Sequence, residues 1–170
     1  MKIIENKITG VLLVLLMATV VACGGNTEKE SSSENTSTMQ ADTASAPTAK
    51  LNMNTAGEDA FKTIPNVGDN MVHEFEEYRP YVSINQFRKE IGKYVDSSRV
   101  AAYEQYIFVP IHRNDSDVST LMQIPGLEKA EADKLAAGRP YKSNQAFFDA
   151  LNSYISEEEL ATAKSYMKSE

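Results

Sequence analysis

Three observations in the sequence predict an all-α protein. Residues 51–110 and 111–170 align without a gap at an offset of 60, and 11 of the 60 paired positions are identical. The identities are Asn54/Asn114, Ile64-Pro65/Ile124-Pro125, Arg79-Pro80-Tyr81/Arg139-Pro140-Tyr141, Ser83/Ser143, Phe87/Phe147, Tyr94/Tyr154, Ala101/Ala161 and Tyr106/Tyr166. Self-similarity at a fixed period means one structural unit used twice. Between the identities, apolar residues recur at helical spacing behind Ser, Thr and Asp positions of the kind that cap helices. No stretch alternates apolar and polar residues over the length a strand needs. The expected architecture is two tandem units, 51–110 and 111–170, of about four short helices each.

Residues 1–22 read as an export signal. Lys2 and Lys7 form a basic start, and Val11 to Ala22 is an apolar run ending in a small residue, too short to span a membrane. Val20-Val21-Ala22-Cys23 resembles the lipobox of bacterial lipoproteins. That resemblance implies a lipidated Cys23 as the first mature residue, and hence a membrane-anchored envelope protein. Cys23 is the single cysteine, so no intramolecular disulfide can form. Gly24 stands where many lipoproteins retained at the inner membrane carry Asp, which points toward the outer one. Residues 24–50 are almost all small or polar and cannot bury enough surface to offset ordering entropy. With Cys23 they are expected to form a disordered tether (23–50) with a reach of roughly 30 Å.

Order is expected from Leu51. Thr55 with Glu58 makes a capping box that opens a first helix through about Lys62. Ile64-Pro65-Asn66-Val67-Gly68 is a tight turn, and a second helix follows from about Asp69 to Arg79, ended by Pro80. Ser83 with Gln86 caps a third helix carrying Phe87 and Ile91, and Asp96 or Ser97 caps a fourth. In the second copy, Asp115 or Ser116 starts the first helix, and the turn is Ile124-Pro125-Gly126-Leu127-Glu128. The second helix then runs to Gly138, the third follows Ser143, and Ser156 with Glu159 boxes the last. The link from Phe108 to His112 is apolar, so the two units should pack as one rigid body.

Leu51 to Tyr106 resembles the helix-hairpin-helix family, specifically its ComEA-type domain. The residues that carry this are Leu51-Asn52-Met53-Asn54-Thr55-Ala56, Ile64-Pro65-Asn66-Val67-Gly68, Tyr78-Arg79 and the Phe87 helix. Ile124-Pro125-Gly126-Leu127 and Arg139-Pro140-Tyr141 are also similar to the PsbU-like branch of that fold. The resemblance implies tandem helix-hairpin-helix units across both repeats. In such domains a turn of the form apolar-Gly-apolar-Gly offers its amides to a phosphate, and the glycines permit positive φ and close approach. That makes Pro65, Asn66, Val67 and Gly68, and Pro125, Gly126, Leu127, Glu128 and Lys129, the candidate backbone contacts for phosphate or for a protein partner.

Each turn lacks one of the paired glycines: Asn66 leads the first and Glu128 trails the second. Asn tolerates a left-handed backbone, but Asp69 follows the first turn, and Glu128 favours its own helix start over an incoming anion. The segments 91–96 and 151–156, counterparts of a second family hairpin, also lack paired glycines. Charge points the same way. Of 17 basic and 24 acidic residues, loss of residues 1–22 leaves 15 and 23, and the repeats alone keep 13 and 19. Nucleic-acid binding ordinarily shows as a basic face.

His73 and His112 lack metal-ligand spacing and read as solvated or capping histidines, so no metal or cofactor is expected. The paired tyrosines read as packing residues with edge hydroxyls. Arg79 and Arg139 read as ties from a helix end to nearby carbonyls. No nucleophile–base or paired-carboxylate pattern emerges, so no enzyme activity is expected. The function expected is a scaffold or adaptor for an envelope protein partner, with weak, sequence-independent DNA backbone binding as the alternative.

Overall fold

Helices as short as these cannot stand alone in water, so each must be defined by its cap and by the surface it buries. The computed structural model describes residues 46–169; the expected export signal, the expected lipidation at Cys23 and the expected tether up to residue 45 lie outside the described residues. Among the described residues there are eight helices. In the first repeat they are α1 (Glu58–Lys62), α2 (Asp69–Glu77), α3 (Ile84–Ile91) and α4 (Ser97–Tyr103). The second repeat has α5 (Val118–Leu121), α6 (Lys129–Ala137), α7 (Asn144–Leu151) and α8 (Glu157–Ser165). The bounds of α2 and α6, and of α3 and α7, differ by the same offset as the sequence repeat.

Most of the caps are those expected. Ser83 accepts from the Gln86 amide, Asp96 from Arg99, and Ser143 from Ala146, while Ser156 and Glu159 form a complete capping box. Three details differ. The α1 cap is Gly57, without a side-chain bond, because Thr55 lies in a turn whose amides return to the Asn52 carbonyl. The α5 cap is Asp117 rather than Asp115 or Ser116; Ser116 is 3% exposed and its Oγ accepts from the His112 amide. Gln86 reaches back to the Val82 amide rather than to that of Ser83, so the box is displaced by one residue.

The structure adds a short ladder that the pattern reading does not predict. β1 (Leu51–Asn52) pairs in parallel with β2 (Ile107–Phe108), and Ile111 bridges Met167 in the same way one repeat later. Two-residue strands are too short for alternation to register. Lys50, read as tether, donates from Nζ to the Glu104 carbonyl at 2.7 Å.

A polar clamp recurs in both copies. Asn54 receives the Tyr81 amide on Oδ1 at 2.7 Å and donates from Nδ2 to the Tyr81 carbonyl at 2.9 Å. Asn114 does the same to Tyr141 at 2.8 and 3.0 Å. Arg79 donates to the carbonyls of Met53 and Ala56, each at 2.6 Å. Arg139 donates to those of Arg113 and Ser116. The two arginines thus hold the segment before the first helix of each repeat instead of their own helix ends. Arg79-Pro80 and Arg139-Pro140 are both cis.

Two apolar cores form. The first gathers Phe61, Phe75, Phe87, Tyr81 and Tyr103 with Met53 and several aliphatics, and ring centroids there lie 5.3–5.8 Å apart. The second substitutes Leu121 for Phe61, Leu135 for Phe75 and Ala163 for Tyr103. Its missing volume is taken up by Phe108, stacked on Tyr166 at 4.3 Å. The connector alternates between the two cores: Ile107 and Val109 face the first, Phe108 and Ile111 the second. Across the seam, the Ile84 amide donates to Thr120 Oγ1 at 3.0 Å, and Gln123 brackets both main-chain groups of Val109. All the described residues belong to one compact unit.

Replacing Asn54 by Ala strands the Tyr81 N–H and C=O in a half-buried setting, and should cost about 2 kcal/mol. The check is a lower urea midpoint at unchanged m-value.

Candidate hairpin site

Among the described residues, two have a left-handed backbone: Asn66 at φ 64° and Gly126 at φ 75°. They stand one repeat apart and occupy the same place in the two turns. Each turn is closed by one bond, from the Val67 amide to the Ile64 carbonyl and from Leu127 to Ile124. The helix that follows starts at Gly68 in one and Glu128 in the other, both extended and neither with a side-chain cap bond. Asn and Gly therefore produce one backbone shape, as expected of the two residue types most at ease there.

Of the candidate contacts, Pro65, Asn66, Gly68, Gly126, Glu128 and Lys129 are exposed and Pro125 is half-buried. Val67 and Leu127 point into the cores, at 8% and 5% exposure, and can offer only backbone.

The neighbours of the two turns differ. A methyl group built on Gly126 would collide with both carboxylate oxygens of Glu159, so that carboxylate is seated directly on the turn. Glu159 is the third residue of α8 and is fixed there by Ser156, whose amide and hydroxyl both donate to Oε2 at 2.8 Å. Those two donors hold its carboxyl below the usual range. The same position in α4 is Arg99. In the first repeat, Tyr103 Oη donates instead to the Asn66 carbonyl at 3.1 Å, and Gly68 has open space where a Cβ would go.

The nearest lysines are engaged as well. Lys62 bonds Asp69 at 2.9 Å, which raises its pKa, and Lys129 bonds Asp133 at 2.7 Å. The expectation that Asp69 would face an incoming anion is thus modified, since Lys62 balances its charge. In the sequence Glu159 stands out only as the partner of Ser156 in a capping box. Nothing local signals that its carboxylate reaches a turn two helices earlier in the chain.

The remaining candidates divide. His112 Nδ1 lies 2.8 Å from Asp115 Oδ2 within a local turn. His73 is exposed but not isolated: with Glu74 and Glu77 it brings three ligand atoms within 4.8 Å on one face of α2, the only such group among the described residues that could hold a cation. Tyr81 and Tyr166 are buried, and the Tyr141 hydroxyl donates to the Leu135 carbonyl. Tyr94 and Tyr154, read as packing residues, instead lie at the surface, 47% and 37% exposed. Tyr94 meets Tyr78 hydroxyl to hydroxyl at 2.8 Å.

A groove also recurs. One of about 410 Å³ lies between α3 and α4, and one of about 360 Å³ between α7 and α8. Equivalent positions line them: Arg88/Phe148, Gly92/Asn152, Val100/Leu160 and Glu104/Lys164. In the first, Arg88 and Glu104 form a bidentate pair at 2.7 and 2.8 Å. In the second, Lys164 lies over the Phe148 ring. The frame is kept and the polar chemistry is changed. In comparison with known proteins, the chain matches no family model, no curated protein and no solved structure.

Gly126→Ala must strain a left-handed residue and displace a pinned carboxylate, so a loss of at least about 1–2 kcal/mol is expected. Gly68→Ala, at φ −104° with open space, should leave stability within about 0.5 kcal/mol. Urea melts of both variants check the contrast. Because Glu159 titrates lower folded than unfolded, its contribution is present above the ordinary carboxylate pKa and is lost as pH falls through the folded value. Ser156→Ala should therefore flatten the decline of stability between neutral and acid pH, measured as urea midpoints across that range.

Proposed function

We propose that this chain is a non-catalytic, lipid-anchored envelope protein that uses two degenerate helix-hairpin-helix modules as a scaffold or adaptor for a protein partner. The observation that carries this reading is the Glu159 carboxylate seated on the Gly126 turn. A phosphate approaching there would meet a fixed negative charge where the family's cradle offers bare amides. The engaged lysines and the acidic excess of the chain work in the same direction. The surface offers scattered apolar contacts suited to a protein, namely Val82, Tyr94, Met122 and Tyr154, together with the two recurring grooves. The lipobox-like run ending at Cys23 is the support for anchoring.

Sequence-independent binding of the DNA backbone is the second reading, and one observation favours it. The first turn keeps the left-handed backbone at Asn66 and the unobstructed Gly68, and its α4 carries Arg99 where α8 carries Glu159.

Titration of the detergent-solubilised full chain with duplex DNA at two salt concentrations separates the readings. The adaptor reading predicts no binding even at low salt. Affinity that falls steeply with salt, and is weakened by Arg99→Ala but not by Lys129→Ala, would replace it with the second. Cys23→Ser should move the protein from the membrane to the soluble fraction; unchanged fractionation would remove the anchor.

A further inference from the structure

A cavity of about 430 Å³ lies at the seam between the repeats, more enclosed than the two helical grooves. Its walls come from the Pro80–Ser83 turn of the first repeat, the Pro110–Asp117 segment of the second and Lys168 near the chain end. Its size falls in the range of sites for small molecules.

Most of its polar groups already serve the fold. Asn54 spends both side-chain atoms on Tyr81, and Ser83 and Asp117 cap α3 and α5. Ser116 Oγ takes the His112 amide. Three groups remain with capacity to spare. Asp115 is 80% exposed and uses only Oδ2, toward His112 Nδ1. That contact leaves His112 Nε2 open. Among the described residues, nothing hydrogen-bonds to Lys168 Nζ, while the Lys168 main chain is held by its bond to the Ile111 carbonyl. The lining also has apolar groups: Pro80, Pro110 and Val82, the last 70% exposed.

A carboxylate with one oxygen to spare and an ammonium without a hydrogen bond among the described residues, at a pocket of this size, complement a molecule that carries both charges itself. The other carboxylate of the lining, Asp117, is already taken by Thr120 and Asn85. A simple anion would be repelled by Asp115, and a simple cation would leave Lys168 unused. We propose that the seam cavity binds a small zwitterion of amino-acid to dipeptide size, with its carboxylate at Lys168 Nζ and its ammonium at Asp115. His112 Nε2 supplies a further hydrogen bond, and the ligand's side chain lies against Pro80, Val82 and Pro110. This site is separate from both hairpin turns and does not depend on how they are used.

The test is calorimetric titration of the full chain in detergent with the dipeptide Ala-Phe, alongside its N-acetylated and C-amidated forms. The free dipeptide should bind, and blocking either end should weaken binding at least about tenfold, as expected for loss of a charge-assisted contact. Asp115→Asn and Lys168→Met should each weaken it similarly, with unchanged circular dichroism because both side chains are exposed. Lys129→Met, outside the cavity lining, should bind the dipeptide as the parent does. Absence of binding at millimolar dipeptide overturns the proposal. So does equal binding of the blocked forms, or a loss in the two seam variants no greater than in Lys129→Met.

Discussion

Within each repeat, a side-chain amide and a guanidinium tie the Arg-Pro-Tyr turn to the segment that precedes the first helix. Everything else in the repeat depends on this arrangement. The guanidinium bonds are charge-assisted and therefore among the stronger available, about 1.5–3 kcal/mol each. They close the loop that contains the first two helices and satisfy carbonyls that no helix would take. They also set the Tyr81 ring beside Phe87 and the Tyr141 ring beside Phe147, so the apolar core condenses around a position already fixed by polar contacts. This explains why the Asn, Arg, Pro and Tyr of the clamp are among the residues shared by the copies, whereas several core positions differ. An apolar volume can be refilled from elsewhere, but a two-point bond to one backbone residue cannot.

The second core shows such refilling. Leu, Leu and Ala replace two Phe and a Tyr, and the first repeat lends Phe108 across the boundary to stack on Tyr166. Because consecutive connector residues serve opposite cores, moving one repeat against the other would break both. Thr120 and Gln123 add hydrogen bonds across the seam. The halves are therefore interlocked across the seam.

The two turns present divergence in a different form. Their backbones are alike, yet one is shadowed by a carboxylate and the other faces a helix bearing arginine at the same place. Both copies keep the bend, while the groups around it differ.

Helix number, order and most caps were legible in the sequence, because periodicity and Ser or Asp capping act over a single helical turn. The repeat was legible because both copies need the same clamp, and the left-handed turns because only Asn and Gly rest easily at positive φ. The sequence misplaced the α1 and α5 caps, where several polar residues compete and burial of Ser116 decides among them. It also missed the short parallel pairing, the surface placement of Tyr94 and Tyr154, and the seating of Glu159 on Gly126. These depend on which segments meet in space, and contacts between residues far apart in the chain leave no local period to read. Tertiary packing alone determined which charges stand beside each bend and which line the seam cavity.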